Sequence, residues 1–258
     1  MNRIRGFLID LDGVIYVENQ LIPGAKTAID FLRSENIPHR FLTNTTIRSR
    51  ALLAEKLTRF GIATRPEEVF STCAVAAHWA KNQGMRKLHL LLPTEPQTDF
   101  SEFELADENP DAVIIGDLGS GFTFDILNRA FQLVKAGAPL VALQKNRFWQ
   151  TLDGISLDVG AFVAALEYAA EVRATLIGKP SVAYFQAALD DMGLAATDVA
   201  MIGDDIETDI RGGADAGLRT ILVRTGKYAA DDAARAAVAP DWILNSIADL
   251  TTWLRDEE

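Results

Sequence analysis

The chain has 258 residues, 48% hydrophobic and 24% charged, enough for one large domain or two modest ones, each with its own core. A formal net charge of −11 speaks against nucleic acid or an anionic membrane as partner, so an anionic ligand needs cations supplied locally. One cysteine, Cys73, rules out an intramolecular disulfide and fits a cytoplasmic address.

The first apolar run, residues 7–9, stops at Asp10, too short for a signal segment or a membrane span. Runs bounded by turn residues predict buried strands over 6–10, 40–43, 87–92, 112–116, 140–144, 174–177, 199–203 and 220–223. Between them, apolar residues at three- and four-residue spacing predict helices over 25–34, 49–60, 124–135, 160–171 and 182–192. Asn36, Gly61 and Gly193 stand where such helices stop. The polar stretch 93–110, flanked by prolines, reads as a loop or loosely structured excursion. Strand–helix alternation of this kind predicts an α/β protein with parallel sheets.

Four of these segments carry chemistry. In Phe7-Leu8-Ile9-Asp10-Leu11-Asp12-Gly13-Val14, an apolar strand ends in two aspartates and a glycine. Ligands of open parallel sheets bind at such strand ends, and adjacent carboxylates raise each other's pKa unless a cation intervenes. A hard divalent ion meets that need; a plain turn is the alternative reading. A calcium loop fails, because its glycine stands sixth and Gly13 is fourth from Asp10. The run 199–203 likewise leads into Asp204, Asp205, Glu207 and Asp209, more acids than helix capping explains. Asp204 is the expected metal ligand there, with Asp209 holding a metal-bound water or the loop. Thr43 and Asn44 offer hydroxyl, amide and backbone donors suited to a phosphate oxygen, though ordinary capping reads the same way. Lys179, between Gly178 and Pro180, is a counter-charge if it shares a site with the acids and a surface charge if it does not.

Taken in order, these four segments resemble the motifs of the haloacid dehalogenase superfamily, over nearly the whole chain. Gly178-Lys179-Pro180 and the run Asp12-Gly13-Val14-Ile15-Tyr16 are similar to the branch with a large α/β cap between the second and third motifs. Residues 143–168 look most like the group of phospholysine phosphohistidine inorganic pyrophosphate phosphatases and haloacid dehalogenase-like hydrolase domain-containing protein 2. Two departures stand in that region. Gln144-Lys145-Asn146-Arg147 replaces an Asn-x-Asp element, and Asp158-Val159-Gly160 replaces Gly-Pro-Gly. Both bear on substrate choice rather than core chemistry.

The resemblance implies a doubly wound, Rossmann-like parallel-sheet core from residues 1–80 and 175–258, with an inserted α/β cap over 81–174. It implies a Mg²⁺-dependent phosphatase acting on a small phosphorylated metabolite: a phosphomonoester, a phosphoamide or pyrophosphate. Asp10 would be the nucleophile, Asp12 the acid/base partner and Lys179 the counter-charge. Thr43 and Asn44 would bind phosphate, and Asp10, Asp12 (through its carbonyl), Asp204 and Asp209 would hold the metal. In the cap, Lys145 and Arg147 would meet a second anionic group and Phe148 or Trp149 would cover an organic moiety, solvated charges and cap–core aromatics being the alternative readings, and the cap would form a homodimer. The alternatives are a phosphotransferase or mutase using the same intermediate, and a catalytically silent phospho-ligand-binding protein. Dehalogenation has no use for Asp12 or a magnesium site, and a signalling receiver is about half this length.

Overall fold

The computed structural model describes residues 4–151, 154–231 and 237–256. In chain order these form β1 (Gly6–Asp10), the hairpin β2 (Tyr16–Val17) and β3 (Gln20–Leu21), α1 (Ala25–Ser34), β4 (His39–Thr43), α2 (Arg50–Arg59) and β5 (Val69–Ser71). Next come α3 (Thr72–Asn82), β6 (Lys87–Leu91), β7 (Glu104–Leu105), β8 (Ala112–Ile115), α4 (Phe124–Lys135) and β9 (Leu140–Ala142). The hairpin β10 (Phe148–Thr151) and β11 (Gly154–Leu157) leads to α5 (Val159–Ala170), β12 (Thr175–Leu176) and α6 (Val182–Met192). The chain ends with β13 (Val199–Gly203), a π-helical turn (Ile206–Arg211), α7 (Gly212–Asp215), β14 (Arg219–Val223), β15 (Trp242–Leu244) and α8 (Leu250–Asp256). Among the described residues no helix is long and apolar enough to cross a membrane.

Two compact units result: Met1–Thr43, Ala51–Phe70 and Lys179–Glu258 in the first, Asn44–Arg50 and Ser71–Gly178 in the second. The first holds a six-stranded sheet in the order β15–β14–β13–β1–β4–β5, parallel from β15 to β4. All of β1 and β13 is buried, which explains why both read as unbroken apolar runs rather than as alternating ones. α1 buries Ala25, Ala28, Ile29 and Leu32, the spacing of one helix face, in the same core as Phe7, Phe41 and Ile202. The chain leaves β1 toward β4 on one side and returns to β13 on the other. This reversal marks the usual ligand position of a Rossmann-like sheet, outside the strands' carboxyl ends.

The second unit holds a five-stranded parallel sheet, β12–β9–β8–β6–β7, whose core joins Val113, Ile115 and Ala142 to Leu133, Val163 and Leu166 of α4 and α5. The stretch 93–110, expected to be a loop, contains a 3₁₀ turn at Pro96–Phe100 and the short edge strand β7. Phe100 and Phe103 are buried there, and two apolar anchors suffice to order an otherwise polar segment. The predicted helix stops hold: Asn36, Gly61 and Gly193 all have positive φ, at 54°, 82° and 64°.

Candidate active site

The strand ends bring the acids of the first unit together. Asp10 is the last residue of β1, Thr43 the last of β4, and Asp204 follows β13 directly. Carboxylate oxygens of Asp10, Asp204 and Asp209 lie within 4.8 Å of one another, and all three residues are buried. Lys179 Nζ, only 3% exposed as a side chain, donates to Asp10 Oδ1 at 2.7 Å and to Asp209 Oδ1 at 2.6 Å. Asp12, one residue past Leu11, is exposed where Asp10 is buried.

Local sequence makes this crowding feasible. Gly13 takes φ 88°, and a Cβ there would stand 2.0 Å from Asp204 Oδ2. At Gly203 a Cβ would meet Asp209 Cβ at 2.2 Å. Of the acid run, Asp205 is the capping residue: its Oδ1 accepts from the N–H groups of Glu207 and Thr208, both at 3.0 Å. Asp204 and Asp209 are thereby left to face Asp10.

Burial dominates the electrostatics. It raises the Asp10 carboxyl above the usual range, with the Asp12 charge adding and Lys179 opposing. Asp204 is pushed up to about 8 by burial and by its neighbours Asp10 and Asp209. Burial likewise lifts Asp209 to about 7, against the pull of Lys179. Burial alone would lower Lys179, but Asp10 and Asp209 hold it well above its ordinary value. Three buried carboxylates offering only oxygen form a donor set that suits a hard divalent cation, and its charge would keep them ionised.

Thr43 is buried, and its backbone is gripped by Tyr184. The Tyr184 hydroxyl accepts from Thr43 N–H at 3.1 Å and lies 2.9 Å from the Thr43 carbonyl, with the Phe70 carbonyl a third partner. Asn44 begins the second unit and is half-buried. Lys145 is bound by both oxygens of Glu167, at 3.0 and 2.9 Å, so its charge is already matched. Arg147 is exposed, with its guanidinium 5.8 Å from the Phe148 ring centre. The side chain of Trp149 lies outside the described residues. The two departures noted in the sequence prove to be partners, since Gln144 Nε2 donates to Asp158 Oδ1 at 2.7 Å.

Sequence reasoning missed Tyr184, Thr225, Gly226 and Lys227. Lys227 N–H donates to Asp204 Oδ2 at 2.6 Å, and its ammonium lies 3.5 Å from Asp205 Oδ2. A Thr-Gly-Lys triplet one residue after the predicted strand 220–223 was the available signal. Tyr184, inside the apolar pattern of α6, gave none.

Residues 7–105 match the family model described as haloacid dehalogenase-like hydrolase, and residues 176–250 match a second one described as HAD-hydrolase-like. The phospholysine phosphohistidine inorganic pyrophosphate phosphatase of Xenopus laevis is 39% identical over 254 residues, covering 96% of this chain and 93% of its own. Human haloacid dehalogenase-like hydrolase domain-containing protein 2 is 38% identical, covering 89% and 87%. Among solved structures, the 4-nitrophenylphosphatase of Thermotoga maritima superposes with a TM-score of 0.90 at 27% identity, covering 96% and 97%. A thermostable NPPase from Geobacillus stearothermophilus gives 0.87 at 31% identity, covering 96% and 98%.

Proposed function

Because the chain belongs to the haloacid dehalogenase-like hydrolases, we propose that it is a Mg²⁺-dependent phosphatase of small phosphorylated metabolites, working through an aspartyl-phosphate on Asp10. The observation that carries this reading is the buried lysine shared by Asp10 and Asp209 beside Asp204, at the reversal point of the sheet. In such a cluster the lysine opposes the rise that burial imposes on Asp10, favouring an ionised nucleophile, and supplies positive charge where phosphate charge must be neutralised.

In the first step an Asp10 oxygen attacks phosphorus in line, and the bond to the leaving oxygen breaks. Asp12, exposed beside the buried nucleophile, donates the proton that the leaving oxygen takes. In the second step Asp12 removes a proton from water as that water attacks the phosphorus of the aspartyl-phosphate. The Asp10–phosphorus bond then breaks, releasing inorganic phosphate and regenerating both carboxyl groups. Lys179 offsets the charge of Asp10 and of the phosphoryl oxygens, while Thr43 offers its hydroxyl to phosphate. Asp10, the Asp12 carbonyl, Asp204 and Asp209 would hold Mg²⁺, which when bound supplies Lewis-acid neutralisation of phosphoryl charge.

For Asn44, Lys145 and Arg147, all in the second unit, the substrate-binding role rests on the resemblance. The same holds for residues 81–174 acting as a cap and for a homodimer formed through it. The phosphoamides and pyrophosphate in the name of the Xenopus relative make those classes the first substrates to test here. A cytoplasmic address fits the single cysteine. The deciding experiment measures phosphate release from phosphomonoesters, phosphoamides and pyrophosphate, with and without Mg²⁺. Mg²⁺-dependent release confined to one class supports the reading; no release from any class would overturn it.

A further inference from the structure

We infer that the turn formed by Thr225, Gly226 and Lys227 after β14 is a positioning element of the active site. It locks the loop of residues 10–13 to the Asp204 carboxylate. The inference deepens the phosphatase reading and rests on it for its kinetic consequence.

Three observations converge on this turn. Thr225 Oγ1 donates to the carbonyl of Gly13 at 2.5 Å, across 212 positions of sequence. The N–H of Lys227 donates to Asp204 Oδ2 at 2.6 Å. Between them, Gly226 takes φ 61°, and a Cβ there would stand 2.0 Å from the same Asp204 oxygen and 2.5 Å from Gly13 Cα. One carboxylate oxygen is therefore bounded by two glycine backbones and held by an amide, with no side chain as intermediary.

The topology gives this arrangement its meaning. β14 and β1 are not neighbours, because β13 lies between them in the sheet. Two strand spacings, roughly 10 Å, separate their tips. The turn crosses that gap over the end of β13, where Asp204 stands, and reaches the Gly13–Val14 peptide, one residue beyond Asp12. Strand pairing fixes Asp10 at the end of β1, but it does not fix the carbonyl of Gly13 three residues later. The Thr225 hydroxyl does so directly. Thr225 is thus assigned to hold the acid/base loop, and the backbone of Gly226 and Lys227 to hold the metal-binding carboxylate.

The test compares Thr225→Val, Thr225→Ser and Gly226→Ala with the wild type, using 4-nitrophenyl phosphate hydrolysis and calorimetric titration with Mg²⁺ alone. Circular dichroism without Mg²⁺ checks folding, and Thr225→Ala replaces Thr225→Val if the latter does not fold. Thr225→Val is expected to lower kcat about 10- to 100-fold with little change in KM, because misplaced reacting groups cost rate rather than binding. Thr225→Ser, which keeps the hydroxyl, should recover most of that loss. Gly226→Ala should weaken Mg²⁺ binding at least about tenfold by displacing Asp204. A Thr225→Val enzyme with wild-type kcat, a Thr225→Ser enzyme as impaired as Thr225→Val, or unchanged Mg²⁺ affinity in Gly226→Ala would each overturn the assignment. A wild type that releases no phosphate would instead sink the phosphatase reading, and the Mg²⁺ titrations would still decide the part concerning Asp204.

Discussion

The ammonium of Lys179 lies 2.7 Å from Oδ1 of Asp10, joining two residues 169 positions apart, and both are buried. Removing one partner of a buried ion pair leaves the other charge desolvated and unmatched, a loss of about 3–5 kcal/mol. Here the lysine also serves Asp209, at 2.6 Å. Lys179→Met should therefore destabilise the metal-free protein by about that amount in urea unfolding. It should also lower phosphate release by at least about two orders of magnitude. Wild-type unfolding and turnover in this variant would show that the pair serves neither stability nor catalysis.

The two aspartates of the first motif should separate kinetically. If Asp10 is the nucleophile, Asp10→Asn, which replaces its carboxylate by a neutral amide, should leave no turnover and no phosphorylated protein by mass spectrometry. Asp12→Asn keeps the nucleophile but loses proton transfer, so kcat should fall about 10²- to 10⁴-fold. Activity near wild type in Asp10→Asn would remove that residue as nucleophile.

Chelation should abolish phosphate release, and added Mg²⁺ should restore it. The ion should also raise the melting temperature, because a ligand bound only to the folded chain stabilises it, by about 2.7 kcal/mol at one hundred times its Kd. Asp204→Asn should remove most of that increment. Full activity in chelator, or a melting curve indifferent to Mg²⁺, would refute the metal site.

Tyr184→Phe removes the hydroxyl that serves Thr43 N–H, the Thr43 carbonyl and the Phe70 carbonyl. Leaving buried polar groups unpaired should cost about 1–3 kcal/mol in chemical unfolding. Turnover should also drop, since Thr43 would lose the contact that holds its backbone. An unchanged unfolding midpoint would show that water replaces the hydroxyl without penalty.

His39 predicts the sign of one pH effect. Its ring is buried, with Nδ1 3.1 Å from the Ile37 carbonyl and Nε2 without a hydrogen-bond partner among the described residues. Burial lowers its pKa below the ordinary 6.5; the Ile37 carbonyl and Glu68 oppose, while Arg33 and Arg40 reinforce. Below the unfolded value the unfolded chain binds the extra proton, so this contribution to stability is lost as pH falls from about 6.5 toward the depressed folded value. Unfolding midpoints of His39→Phe, which retains an aromatic ring beside Phe41, should fall less steeply over that range than those of the wild type. Parallel slopes would rule out His39 as the source.

The strand–helix alternation, the helix stops and the strand-tip motifs are all legible in the amino-acid order. Each depends on neighbours within a few residues: strands buried on both faces read as solid apolar runs, and Asn36, Gly61 and Gly193 mark positive-φ positions. The short strands β2, β3, β5, β7 and β15, the hairpin of β10 and β11, and the helices α3, α7 and α8 are not legible in the same way. Runs of two or three residues are too short to show a period, and the apolar residues of α3 are spread around much of its circumference. That Asp205 caps a turn while Asp204 and Asp209 face Asp10, and that Glu167 takes the charge of Lys145, emerges from the folded arrangement. It alone revealed the turn after β14 and placed residues 44–50 in the second unit. These are contacts between distant segments, set by strand order, and local patterning carries no record of which strand tips will be neighbours.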